Sequence, residues 1–162
     1  MRLRVDSPLS DELEAIVTRV IGCAIEVHRN LGPGLAERIY EDAMTIELEL
    51  QGLTFSRQQR VVIEYKGRKL RPQRLDLVVE QQIVVELKAV ERLLELHKDQ
   101  LLSYLHAADL PVGLLFNFNG ETIKGSMKRV VNAKKVEETK QPEENSCPSW
   151  PSWPSCLLLR CC

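Results

Sequence analysis

Apolar side chains recur at helical spacing through Ile16, Val17, Val20, Ile21, Ala24, Val27 and Leu31, which predicts a helix over about 11–30. Ser10 suits its N-cap, Asp11 and Glu12 favour its first turn, and Gly32-Pro33-Gly34 ends it. Ile39, Ala43, Ile46 and Leu50 predict a second helix over about 35–50, stopped by Gly52. The period then shortens. Val61–Tyr65, Leu75–Val79 and Gln82–Lys88 read as strands, with Lys66-Gly67-Arg68 as a turn. The short Glu80-Gln81 link makes the last two strands a hairpin, although its turn lacks Gly and Asn. Leu93, Leu94, Leu96, Leu101, Leu105 and Ala108 predict a third helix over about 91–108. Val112–Phe118 is a nearly continuous apolar run, as expected of a strand buried on both faces, and Met127–Asn132 could add a short edge strand.

From about residue 133 Lys, Glu, Gln and Pro take over, followed by SCPSWPSWPSC. No periodic face is left to bury, so 133–162 reads as a disordered tail behind one domain over 1–132. Trp150 and Trp153 could mark a partner-binding motif; the alternative is an extension with no role in the fold. Apolar runs stop well short of a membrane span, and the acidic residues after Arg4 are wrong for a signal peptide. Cys23 lies inside a helical pattern, while Cys147, Cys156, Cys161 and Cys162 lie in the tail without zinc-ligand spacing. A reduced, cytoplasmic protein with a buried Cys23 is the expectation.

The net charge of −1 hides an uneven distribution. Residues 1–56 carry 5 basic and 10 acidic side chains. Residues 57–74 carry seven basic ones (Arg57, Arg60, Lys66, Arg68, Lys69, Arg71, Arg74) against Glu64 alone. The total excludes a bulk-basic nucleic-acid binder but leaves room for a local basic surface. That segment is either a solvated edge hairpin protected by its charges or a phosphate-contacting surface, and its direct lead into the Asp76 strand favours phosphate.

Asp76, Glu86 and Lys88 carry the chemistry. Asp and Glu are disfavoured in strands, yet both acids sit inside the most β-like runs of the chain. Alternation puts Glu86 and Lys88 on one face, and a tight hairpin would bring Asp76 beside them. Two carboxylates among apolar neighbours need neutralising, and hard oxygen donors suit Mg²⁺ or Mn²⁺. The plainer alternative is two solvent-side acids, one of them paired with Lys88.

A second string, Gly34-Leu35-Ala36-Glu37-Arg38-Ile39-Tyr40, has the form G-x-x-E-x-x-Y. It occurs in order with Glu26-Val27-His28, Leu31–Gly34, Tyr65-Lys66-Gly67, Val85–Lys88, Gln100–Leu105 and Gly113–Phe118. Over about residues 12–132 the chain thus resembles the GxxExxY protein family of the PD-(D/E)XK nuclease superfamily. The resemblance implies an α/β, restriction-endonuclease-like core, a mixed central sheet flanked by helices. By the same analogy Asp76 and Glu86 bind metal together with the Leu87 carbonyl, Lys88 is the catalytic lysine, Glu37 adds an acid to the metal site, and Gln100 lies near it. The superfamily's usual Pro before the first acid is absent, since Arg74-Leu75 precedes Asp76.

Other residues have plainer readings. Glu37 could serve only the helix dipole, Tyr40 reads as a packing residue with a bonded hydroxyl, and His28 as a capping or packing residue. His97 and His106 read as surface positions, and Gln100 could merely bond to a strand. The expected function is metal-dependent phosphodiester hydrolysis in nucleic acid, DNA ahead of RNA, by a protein with no membrane partner and room for a homodimer. The alternative is a catalytically silent binding module for nucleic acid or protein on the same fold.

Overall fold

In the computed structural model, residues 7–140 are described, with side chains through 137. Helix α1 (Asp11–Leu31) begins where Ser10 Oγ accepts the Leu13 N–H, and it ends at Gly32, whose φ of 67° lets its N–H reach the His28 carbonyl. Helix α2 (Glu37–Leu50) packs against it. Strands β1 (Phe55–Val61), β4 (Gln73–Val79), β5 (Ile83–Lys88), β6 (Val112–Asn117) and β7 (Met127–Val131) form one sheet in the order β1-β4-β5-β6-β7. Among the described strands only β5 and β6 pair in parallel, and helix α3 (Glu95–Ala108) makes the crossover between them. Strands β2 (Glu64–Tyr65) and β3 (Arg68–Lys69) form a separate hairpin, and helix α4 (Ala133–Lys140) follows β7. This is the mixed, helix-flanked sheet that the sequence led us to expect.

The sheet has a core on each side. Val17, Val20, Ala24 and Val27 of α1, with Tyr40, Met44 and Leu48 of α2, cover Leu77, Val85, Leu87, Leu114 and Phe116. Leu101, Tyr104 and Leu105 of α3 cover Leu75, Val78, Val84 and Leu115. The α3 contact needs Gly113, because a Cβ there would lie 2.8 Å from the Leu101 side chain. Cys23 is buried in the first core, and burial pushes its thiol up to about 11, so it behaves as an apolar packing group.

Three boundaries differ from the sequence reading. The strand expected at Val61–Tyr65 is β1, six residues earlier, and Glu64-Tyr65 belongs to the small hairpin. Phe55–Val61 is mostly exposed because β1 is an edge strand, paired to β4 through its backbone, so no apolar alternation marks it. Helix α3 starts at Glu95, since the backbone of Ala89 and Val90 is tied to Glu37 and Asn117. His97 Nδ1 accepts the Leu94 N–H at the start of α3, a capping contact rather than an idle surface position.

The third concerns the tail. Residues 133–140, assigned to a disordered extension, form α4, and Val136 is buried in the first core. One apolar anchor in a polar segment leaves no periodic face to see, yet Asn132 holds its approach by bonds to Pro111 and Leu110. Trp150, Trp153 and the four tail cysteines lie outside the described residues. The β4–β5 turn also solves its problem unusually. Glu80 and Gln81 have φ of 50° and 54°, which Gly or Asn would adopt more readily. The Glu80 N–H donates to Thr54 O and Glu80 Oε1 accepts the Thr54 N–H at 2.6 Å, bonds that hold the turn.

In chemical denaturation Val136→Ala should cost roughly 2 kcal/mol. Equal stability of the Val136→Ala protein would show that α4 does not pack.

Candidate active site

The site lies where the β4–β5 ladder opens. Paired residues run from Val79↔Ile83 to Leu77↔Val85, and the next pair in that register would be Asp76 opposite Glu86. There the side chains replace the backbone ladder. The Leu87 N–H donates to Asp76 Oδ2 at 2.9 Å, and the Asp76 N–H approaches Glu86 Oε1 at 3.4 Å. The other side of β4 is broken at the same point. Gln58 of β1, which faces Asp76 in the register, has a φ of 49° and does not pair. Alternation along β4 also fails here, because Leu75 and Val78 pack on the α3 side while Leu77 and Val79 pack on the α1–α2 side.

Glu86 is only 6% exposed. Burial and the neighbouring Asp76 carboxylate push its carboxyl up to about 7, against the pull of Lys88. Asp76 is raised too, first by burial and then by Glu41 and Glu37, while the Leu87 N–H and Lys88 oppose the shift. Lys88 Nζ lies 3.7 Å from Glu86 Oε2, on the same face of β5 as alternation requires. The structure therefore brings Asp76, Glu86 and Lys88 together.

Glu37 comes from the first turn of α2, and its Oε1 accepts the Ala89 N–H at 3.0 Å, directly after Lys88. Tyr40 fixes that helix start. Its buried ring stacks on Phe118 at 4.3 Å, and its hydroxyl donates to Gly32 O and accepts the Leu35 N–H. Asn119 Oδ1 accepts the Gly34 N–H, Asn117 bonds both polar atoms of the Val90 backbone, and the Phe118 N–H donates to Lys88 O. Residues 117–119 thus clamp the approach to α2 and the exit of β5 into one unit. His28 packs against it, with Nε2 2.9 Å from Gly120 O, as a packing residue should.

Gln100 is placed differently. It is exposed, its Nε2 donates to the Tyr104 hydroxyl at 2.6 Å, and among the described residues it bonds to none of the three site residues. Glu41 is a residue the sequence reading passed over. It is 7% exposed, one turn after Glu37, and it accepts bonds from Arg57 Nε at 3.0 Å and Gln58 Nε2 at 2.9 Å. An acid within the buried set Tyr40, Met44 and Leu48 was the signal available. Arg57 also pairs with Asp42 at 2.6 Å, so it braces α2 against β1 instead of joining an open basic surface. Arg60, Lys66, Arg68, Lys69, Arg71 and Arg74 are exposed, and among the described residues none has an acidic partner within ion-pair distance. Arg60 and Arg74 face each other directly across β1 and β4, a like-charge pairing that is unfavourable without an anion.

Among the described residues no set of three or more His, Cys, Asp or Glu side chains is grouped as a metal cage. The donor set is smaller: the two adjoining carboxylates of Asp76 and Glu86, both hard donors, in a partly buried position where negative charge is disfavoured. That chemistry fits a divalent cation of the magnesium type.

An α/β sheet that opens around an Asp-Glu-Lys cluster defines a nuclease-like core. A family model of the PD-(D/E)XK nuclease superfamily matches residues 14–130, and the chain belongs to that superfamily. Its nucleases usually use divalent metal ions, and membership implies nucleic-acid binding. No curated protein and no solved structure matches the chain. Among the described residues no helix is long and apolar enough to cross a membrane.

The Glu86 carboxyl sits above its usual range when folded, so the folded protein retains a proton that the unfolded chain releases. Stability of the metal-free protein should therefore fall as pH rises from about 4.5 to about 7. Glu86→Gln should flatten most of that slope, leaving the part that Asp76 contributes, and gain on the order of 3 kcal/mol over wild type at pH 8. Parallel pH profiles for the two proteins would contradict the placement of Glu86.

Proposed function

We propose that the protein is a metal-dependent nuclease that hydrolyses phosphodiester bonds in nucleic acid, with DNA the first substrate to test. The observation that carries this reading is the meeting of Asp76, Glu86 and Lys88 at the opening of the β4–β5 ladder. The G-x-x-E-x-x-Y string supports the finer placement in the GxxExxY group. Asp76, Glu86 and the Leu87 carbonyl would hold Mg²⁺ or Mn²⁺, with Glu37 adding a carboxylate nearby. When bound, the ion would stabilise charge on the scissile phosphate and the leaving oxygen.

Lys88 has a different part. Its ammonium has three donors and no lone pair, so it orients the attacking water and offsets charge as the phosphate approaches. The Glu86 carboxylate, 3.7 Å away, holds that ammonium over the site. Glu37 ties the start of α2 to the backbone after Lys88, which sets where the lysine leaves the sheet. Gln100, through its bond to Tyr104, orders the α3 surface and has no direct part in the reaction. The exposed cations from Arg60 to Arg74 supply phosphate contacts, and the opposed Arg60–Arg74 pair is relieved by an anion between them.

Nicking of supercoiled plasmid and cutting of DNA and RNA oligonucleotides in Mg²⁺ or Mn²⁺ test the reading. Lys88→Ala should abolish cleavage and leave metal affinity largely intact, while Asp76→Ala should lose both. Cleavage that survives Asp76→Ala, or a wild type that binds nucleic acid and cuts none, would sink it in favour of a binding module. Replacing Arg68, Lys69 and Arg71 together should weaken nucleic-acid binding and flatten its salt dependence by about two to three units of slope, as counted by log affinity against log salt. An unchanged slope would place the phosphates elsewhere.

A further inference from the structure

The β2–β3 hairpin carries an aromatic ring that the fold does not use. Tyr65 is 60% exposed, and Val62 and Leu70 beside the hairpin are exposed as well. The hairpin is a two-stranded sheet of its own, with Tyr65 opposite Arg68 and Glu64 opposite Lys69. Its turn, Lys66-Gly67, has φ of 50° and 73°, as a tight two-residue reversal demands. The Leu70 N–H donates to Ile63 O at its base. A hairpin with no buried face gains little from such a ring by packing.

The ring stands among cations. Lys66 Nζ is 5.4 Å from its centroid, Arg68 is its cross-strand neighbour, and Lys69 and Arg71 follow. Beyond the hairpin the chain runs directly into β4, and Asp76 comes eleven positions after Tyr65. At roughly 3.3 Å per residue the ring lies at most about 36 Å along the chain from the Asp76 carboxylate. A nucleic-acid strand of a few nucleotides covers that distance.

We propose that this hairpin is a base-stacking finger, with Tyr65 taking an unpaired base while Lys66, Arg68 and Lys69 hold the adjoining phosphates. The inference rests on the nuclease reading and narrows it: the substrate class is nucleic acid with single-stranded character beside the cut. An aromatic ring accepts the face of any base, so this subsite adds affinity without sequence preference. A paired base inside a duplex has both faces covered by its neighbours and offers the ring nothing, so the basic side chains alone would contact a duplex.

The test is binding of a labelled single strand and of the matching duplex, with Ca²⁺ as the only divalent ion, by wild type, Tyr65→Phe and Tyr65→Val. Tyr65→Val keeps strand propensity and removes the ring. It should weaken single-strand binding about tenfold and duplex binding less than twofold, and Tyr65→Phe should bind as wild type does. A 2-aminopurine base in the single strand should be quenched by wild type and by Tyr65→Phe, a signal that does not depend on the valine protein folding well. Equal losses on strand and duplex, no loss on the strand, or an unquenched base with wild type would overturn the finger and leave the nuclease reading standing. Wild type that binds neither nucleic acid would overturn both.

Discussion

Two carboxylates stand where two strands should exchange backbone hydrogen bonds, and the rest of the site follows from that substitution. At Asp76 and Glu86 the β4–β5 ladder gives way to side-chain contacts with the Leu87 and Asp76 amides. The opening frees the strand ends to diverge, and it leaves like charges in a partly buried place. Burial alone would drive both carboxyls toward the protonated form, and Glu86 shows it most. Lys88 relieves the strain in part, at 3.7 Å from Glu86. A sheet gains nothing in stability from such an arrangement, since apolar residues of similar size would pack there at lower cost. Chemistry that needs concentrated negative charge gives it a purpose.

The helix on one side and the strand end on the other keep the opening in shape. Tyr40 stacks on Phe118, Asn119 holds Gly34, Asn117 holds Val90, and Glu37 holds Ala89. These contacts join segments that are far apart in the chain into a frame around the end of β5. Glu41 extends the frame to β1 through Arg57 and Gln58, and Gln58 is the residue that fails to pair opposite Asp76. The strained backbone at Gln58 thus has a side-chain anchor on α2. Each of these polar groups is satisfied, which makes the frame rigid enough to hold charges in place.

Much of this was legible in the sequence because its signals are local. The helical spacing from Ile16 to Leu31 and the apolar run of β6 each point to one answer without knowledge of partners, and the acids set into β-like runs mark a candidate site. The family model, matching residues 14–130, agrees with the fold expected from the order of the motifs. What was hidden depends on partners. Strand β1 shows no alternation because its pairing is made by backbone atoms to β4. Among its described side chains, helix α4 buries Val136 alone. Arg57 counts as one more positive charge in the sequence, and only the fold shows it spent on Glu41 and Asp42. Asn117 falls inside the apolar run Val112–Phe118 with nothing to mark it, while its role, with Asn119, is to tie together loops that the sequence keeps apart.

The central claim is that the Asp76–Glu86 pair is a cation site. Calorimetric titration with Mn²⁺ at pH 7, repeated in two buffers of different ionisation enthalpy, tests it on wild type and Asp76→Asn. With the Glu86 carboxyl near 7, the account predicts saturable binding by wild type with release of a fraction of a proton, and loss of that binding in Asp76→Asn. Equal binding by the two proteins, or no binding by wild type, would contradict it.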